Sequence, residues 1–291
     1  MLLSHILDKV RVLITKRLFI FALLSLSFFS SCGRDRKTRI RNRLFSEVGT
    51  AIIEENDAAL WADEEYDLMC PLMQGYIPSQ IIERRAYITS YNSDTRNPNW
   101  VAWHLTSNHT DGAYGRTNVF YEDEEVPMPR ATIDDYRGSG WSRGHMCPAG
   151  DNKWDETAMY ESFSLINVCP QNASLNSGLW NSIEIDCRRW ARQYGDIYIV
   201  CGPLFLNQEH ETIGENRVVV PEAFFKVVLC LNGKPKGLGF IVRNTDGNRK
   251  RDLYYNSIDQ VERITGLDFF PALPDDVENE VEAESDINEW N

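Results

Sequence analysis

From Tyr76 onward the chain alternates short apolar runs with polar turn segments, and the period within each run predicts the element it forms. Residues 84–92 (RRAYITSYN) and 99–106 (NWVAWHLT) alternate and are rich in β-branched and aromatic side chains. With the turn segments Asn-Ser-Asp and Asn-Pro-Asn between them, they predict a hairpin. Residues 196–205 (DIYIVCGPLF), 222–231 (EAFFKVVLCL) and 238–244 (LGFIVRN) predict three more strands, separated by a loop containing Gly214 and by Asn232-Gly233. Between the two strand groups the spacing predicts a helix from Ser174 to Tyr194, stopped by Gly195 just past its end. Shorter helices are predicted in 257–266 (SIDQVERITG) and near 52–67. Strands, a central helix and strands again predict an α+β fold with a mainly antiparallel sheet, not a doubly wound parallel one.

Composition agrees with a packed core: of 291 residues 43% are hydrophobic and 11% aromatic. Charge divides the chain. Residues 1–53 carry +7, 54–67 carry −7 and 275–291 carry −8, so of the formal −13 only −5 falls on 68–274. An anion bound there is held by a local site, not by a global positive field, which disfavours tight sequence-independent coating of DNA. Lys9, Arg11, Lys16 and Arg17 precede an apolar run from Leu18 to Phe29, too short to span a bilayer, and small residues lead to Cys32. This resembles a bacterial lipoprotein signal whose cysteine receives lipid. The expected organisation is a signal at 1–31, a charged tether at 32–67, a folded domain at 68–275 and an acidic C-terminal tail at 276–291. The expected product is exported, either secreted or held at the bacterial envelope by lipid on Cys32. Six cysteines follow Cys32 with no C-x-x-C, which weakens zinc and thioredoxin-like readings.

Candidate chemistry concentrates in residues 138–154 (GSGWSRGHMCPAGDNKW) and 165–190 (LINVCPQNASLNSGLWNSIEIDCRRW). In the first, Gly140 to Gly144 fits G-x-S-x-G, the turn that displays a nucleophilic serine in many hydrolases, here Ser142. The context is wrong for it, because a buried strand should precede and a helix follow, whereas 130–140 is polar and Pro148 comes soon after. In the second, Asn176, Trp180 and Glu184 are spaced i, i+4 and i+8, within roughly 80° on one helix face. Taken alone, Asn176 reads equally as a solvated first-turn residue, Trp180 as core and Glu184 as an exposed acid.

Taken together and in order, Arg-Gly-His, Asn-x-x-x-Gln and Asn-x-x-x-Trp-x-x-x-Glu resemble the DNA/RNA non-specific endonucleases of the ββα-metal class. Matching flanks at 197–205, 221–229 and 264–274 extend the resemblance over about Ile82 to Asp275. It implies a ββα-metal fold, hydrolysis of DNA and/or RNA gripped by the backbone, and a Mg²⁺ cofactor that Mn²⁺ can replace; it also allows a homodimer. It places the general base on His145, the metal ligand on Asn176, supporting residues on Arg143, Asn167 and Glu184, and a second phosphate arginine on Arg116. These types suit the chemistry: imidazole accepts a proton near neutrality, Mg²⁺ takes few protein ligands, and planar guanidinium forks match phosphate oxygens.

The family usually has an acid immediately before Arg-Gly-His, where this chain has Ser142. That departure, with the acidic tail, motivates a second reading in which the fold serves only as a surface binding module. Gly144 is expected to leave the backbone free to bend. His104 is expected to be a packed or edge residue, His109 and His210 offer no pattern, and Asp151 and Asn152 are expected to serve a turn. Cys147 and Cys169, each two residues beyond a candidate site residue, are expected to form a disulfide.

Overall fold

The computed structural model describes residues 63–290. The signal-like segment, Cys32 and the tether up to residue 62 lie outside them. The chain opens with α1 (Asp63–Met69), β1 (Leu72–Met73), β2 (Gln80–Glu83), β3 (Ile88–Asn92) and β4 (Asn97–Thr106), then α2 (Ile133–Tyr136), β5 (Ser142–His145), α3 (Glu156–Glu161) and β6 (Val168–Gln171). The predicted central helix follows as α4 (Ala173–Leu175), a π-helical turn (Asn176–Trp180) and α5 (Asn181–Tyr194). Next come β7 (Asp196–Leu204), β8 (Thr212–Ile213), β9 (Val218–Val219), β10 (Ala223–Cys230), β11 (Lys236–Arg243) and β12 (Tyr255–Asn256). The last elements are α6 (Ile258–Thr265), β13 (Leu267–Asp268) and α7 (Asp275–Ala283). Among the described residues no helix is long and apolar enough to cross a membrane.

Seven strands form one sheet in the order β12-β11-β10-β7-β4-β3-β2, every neighbouring pair antiparallel. The expected α+β architecture is therefore the observed one. Both faces of the sheet are covered, which is why its central strands read as continuous apolar runs. On β10, Phe224, Val228 and Cys230 join the core under α5, with Trp180, Ile183, Cys187 and Trp190. Phe225, Val227 and Leu229 face the opposite core, under Ile258 and Val261 of α6 and Val281 of α7. Helix α6 is closed by a reciprocal cap between Ser257 and Gln260 and ends at Gly266 with φ 69°.

Three expectations are corrected. Asn97-Pro98-Asn99 is the start of β4, not a turn: Tyr91 pairs with Pro98 and Ser90 with Trp100, leaving Asn99 as the extra residue of a bulge. A bulge suits a strand whose proline has no N–H to give, and the Asn99 amide donates instead to Pro78 O and Ser90 Oγ, both at 2.9 Å. The acidic tail is part of the fold. Helix α7 buries Val281, and Trp290 is 1% exposed against Trp190, whose indole N–H donates to Trp290 O at 2.9 Å. Apolar spacing there outweighs the acidic composition. Finally, Cys147 and Cys169 are free thiols, as are Cys70, Cys187, Cys201 and Cys230. The register sets Cys169 opposite Gly144, while Cys147 lies two residues beyond the end of β5, so the two are not strand partners. Burial pushes both thiols well above their usual pKa.

Candidate active site

Strands β5 and β6 form a ribbon separate from the main sheet, with Gly144 opposite Cys169 and His145 opposite Val168. A side chain at Gly144 would overlap Gln171, so glycine is needed for close strand packing, not for the bend expected. The chain leaves β6 through Asn172, whose Oδ1 accepts from the N–H groups of Ser174 and Leu175 and starts the helix. Two short strands and a helix thus meet around His145.

Asn167 braces this junction from behind. Fully buried, it accepts from Cys147 N at 2.9 Å and donates to Cys147 O and Ser162 O at 2.8 Å, fixing the loop that follows His145. It does not line the cavity that His145 faces. That cavity, about 340 Å³, brings together Arg116, His145, Asn176 and Glu184. Ser177, Asn181 and Arg188, which sequence reasoning missed, complete its helical wall. The π turn explains the difference. Its wider spacing puts Asn181 where an unbroken helix would aim Trp180, and Trp180 turns into the core, 0% exposed, with its indole N–H 3.4 Å from His145 O. Asn181, Glu184 and Arg188 do keep helical spacing, and that polar stripe was the available signal.

The imidazole of His145 packs in a triangle with two phenylalanine rings, 5.2 Å from Phe120 and 5.0 Å from Phe163, which are themselves 5.0 Å apart. The same rings carry the arginines: Arg143 Cζ lies 4.4 Å from the Phe120 centroid and Arg116 Cζ 5.3 Å from that of Phe163. His145 Nε2 is buried and has no hydrogen-bond partner in the protein. Burial, reinforced by Arg116 and Arg143, pushes the imidazole pKa down to about 3, so the ring is neutral at pH 7 with a lone pair available.

Glu184 is half-buried in the cavity wall, and desolvation there pushes its carboxyl up to about 7 against the pull of Lys226. Lys226 is a further surprise, a fully buried lysine on β10 with Nζ 4.8 Å from the Trp103 ring and 4.7 Å from Trp180. Burial opposes its charge, but the carboxylates of Glu184 and Asp151 favour the ammonium, and its pKa is raised on balance. Asp151 closes the network: one oxygen accepts from Arg188 at 2.8 Å and the other from the Trp103 indole at 3.1 Å. It occupies the expected turn, Ala149–Asp151, yet it also anchors a wall residue of the cavity. Asn152 keeps to the turn, donating to Pro148 O.

Ser142 does not fit a nucleophile elbow. It opens a strand rather than a strand-to-helix turn, and it lines a separate cavity of about 560 Å³ with Arg116, Tyr136, Trp141 and Arg143. His145 is not part of that cavity. The remaining histidines pack elsewhere: His104 stacks on Tyr198 between Glu65 and Asp196, His109 stacks on Trp154, and His210 bonds Glu222.

Comparison with known proteins finds nucleases. The chain is 38% identical over 242 residues to the mitochondrial nuclease EXOG of Xenopus laevis, covering 76% of this chain and 67% of that protein. It is 34% identical over 210 residues to the mitochondrial endonuclease G of Homo sapiens, covering 67% and 71%. The chain spans between 55 and 67% of the length of the EXOG relatives it matches. A crystal structure of an EndoG/EndoGI complex superposes with a TM-score of 0.63 at 30% identity, covering 68% of this chain and 89% of that one. The sequence pattern of the DNA/RNA non-specific endonucleases matches residues 68–276. On these grounds the chain belongs to the DNA/RNA non-specific endonuclease family.

Proposed function

We propose that the chain hydrolyses phosphodiester bonds of DNA and RNA in a divalent-metal-dependent reaction without sequence preference. One observation supports this above the others: an unpartnered imidazole nitrogen, a carboxamide and a half-buried carboxylate open into a single cavity flanked by two arginines. The donor set suits a hard cation such as Mg²⁺, because Asn176 and Glu184 offer only oxygen and no thiol lines the cavity. Asn176 would ligate it directly and Glu184 would orient a water beside it. When bound, the cation neutralises charge that develops on the phosphate and the leaving oxygen.

The chain's own residues supply the rest. His145 Nε2 takes a proton from the attacking water. The arriving phosphate offsets the repulsion of Arg116 and Arg143 and lifts the imidazole from its depressed pKa toward a value at which it holds that proton. The two guanidiniums, fixed on aromatic faces, bind phosphate oxygens without having to be ordered first. Asn167 and Asp151 are positioning residues that hold the His145 loop and Arg188. Ser142 stands beside Arg143 in the neighbouring cavity, so the missing acid falls on the phosphate-binding side, not on the imidazole.

The reading is tested by incubating the chain with supercoiled plasmid and with ribosomal RNA. Both are expected to be degraded with Mg²⁺ or Mn²⁺ and spared in EDTA. Binding of either substrate with no cleavage under any metal would instead favour the binding-module reading.

A pH effect follows from Glu184. Its carboxyl is raised to about 7, so below that pH a cation has to displace a proton, and above it the carboxylate is already ionised. The half-saturating Mg²⁺ concentration is expected to rise about tenfold per pH unit below 7 and to level off by pH 8. Arg188, Asp151, Lys226 and Arg116 are the charged groups facing it and stay unchanged in Glu184→Gln, which is expected to need more Mg²⁺ at pH 8 and to lose the slope. An equal slope in both proteins would remove Glu184 from the metal site.

A further inference from the structure

On the opposite side of the sheet from His145, α6, β13 and α7 bring five carboxylates together. Ligand oxygens of Asp259, Glu262 and Glu282 lie within 4.8 Å of one another, and so do those of Asp268, Glu278 and Glu282. Glu282 belongs to both sets. It is 7% exposed, and its Oε1 is buried with no hydrogen-bond partner. Among the described residues no lysine or arginine forms an ion pair with Asp259, Glu262 or Glu282. Glu262 is held by a hydrogen bond from Phe269 N at 2.8 Å, which fixes its carboxylate toward the cluster.

Such an arrangement is costly as it stands. Carboxylates this close repel, and burial adds to the cost, so an isolated one would be expected to turn to solvent or recruit a lysine. Helix α7 places Glu278 and Glu282 four residues apart on one face, and α6 places Asp259 and Glu262 three apart, with Asp259, Glu262 and Glu282 close together.

We infer that this cluster is a Ca²⁺ site, distinct from the cavity of His145 and Asn176, which clamps the C-terminal helix α7 onto α6 and β13. Oxygen separations under 4.8 Å suit ligands around one ion at about 2.3–2.6 Å. Several carboxylates at unequal reach suit Ca²⁺, which accepts six to eight oxygens in flexible geometry, over Mg²⁺, which keeps its waters in a strict octahedron. Because Asp268 pairs with Leu72 of β1, the ion also ties this end of the chain to the start of the described fold.

The site is tested on the full chain carrying Asn176→Ala and Glu184→Gln, so that the candidate catalytic cation does not contribute. After EDTA stripping, calorimetric titration with CaCl₂ is expected to show one ion per chain, and 5 mM CaCl₂ is expected to raise Tm by about 5 °C. Glu282→Gln added to this background is expected to melt no lower than its parent without metal, since repulsion is relieved, and to lose the Ca²⁺ heat and the Tm shift. The half-exposed Asp259→Asn serves as a second variant and is expected to weaken Ca²⁺ binding at least tenfold. A parent indifferent to Ca²⁺, or variants that keep its full heat and shift, would overturn the assignment whether or not the protein is a nuclease.

Discussion

His145→Ala is expected to cut plasmid with a rate lowered on the order of 10³-fold while remaining folded, the loss typical of removing a general base. The ring packs against Phe120 and Phe163 and makes no side-chain hydrogen bond through Nε2, so its removal orphans no buried partner. Circular dichroism and Mg²⁺ dependence are expected to match wild type. Adding free imidazole is expected to restore part of the rate, most effectively above pH 7 where that base is neutral. A variant cutting at the wild-type rate would take the base assignment away from His145 and direct attention to a water held by Glu184 alone.

Trp180→Ala is expected to lower Tm by about 10 °C, the largest effect on stability among the site's supporting residues. The side chain is 0% exposed, packs on Phe224 and caps the Lys226 ammonium, and it donates to the backbone oxygen of His145. Truncating a buried tryptophan costs about 3–5 kcal/mol, and a domain of this size loses roughly 2–4 °C per kcal/mol. Further loss comes from Lys226, which keeps its charge while one of its two ring faces disappears. Trp180→Phe retains a ring but not the indole donor and is expected to lose less than half as much Tm while still slowing cleavage. Differential scanning calorimetry with matched rate measurements separates the two contributions, and a melting curve unchanged in Trp180→Ala would show that the core under α5 does not depend on this residue.

Much of the fold could be read from the residues because its strands are buried on both sides. Runs such as 222–231 and 196–205 are apolar enough to declare themselves, and Gly195 and Gly266 mark helix ends by their backbone demands. The site was legible through its resemblance to a family, not through periodicity, since Asn176 and Glu184 alone were equally well read as surface residues. What remained hidden depends on contacts between distant segments. Nothing local marks Phe120, in a polar loop, as the bed of both His145 and Arg143. Lys226 within an apolar strand reads as an ordinary interruption until Trp103 and Trp180 enclose it. The C-terminal segment misled because eight acids dominate its composition, although Val277, Val281 and Trp290 carry the packing. Asn167 was expected among the supporting residues, and its hydrogen bonds hold the loop after His145 from behind the cavity.

The widened turn at Asn176–Trp180 has one last consequence. A turn of this kind absorbs one extra residue, so a single codon lies between the present arrangement and a regular ladder of i to i+4 bonds. Excising Gly178, whose surroundings are open, would relieve the irregularity and leave Asn176 and Glu184 seven positions apart, still on one face. The added residue thus compensates in the helix for a spacing of eight that a regular ladder would splay by about 80°.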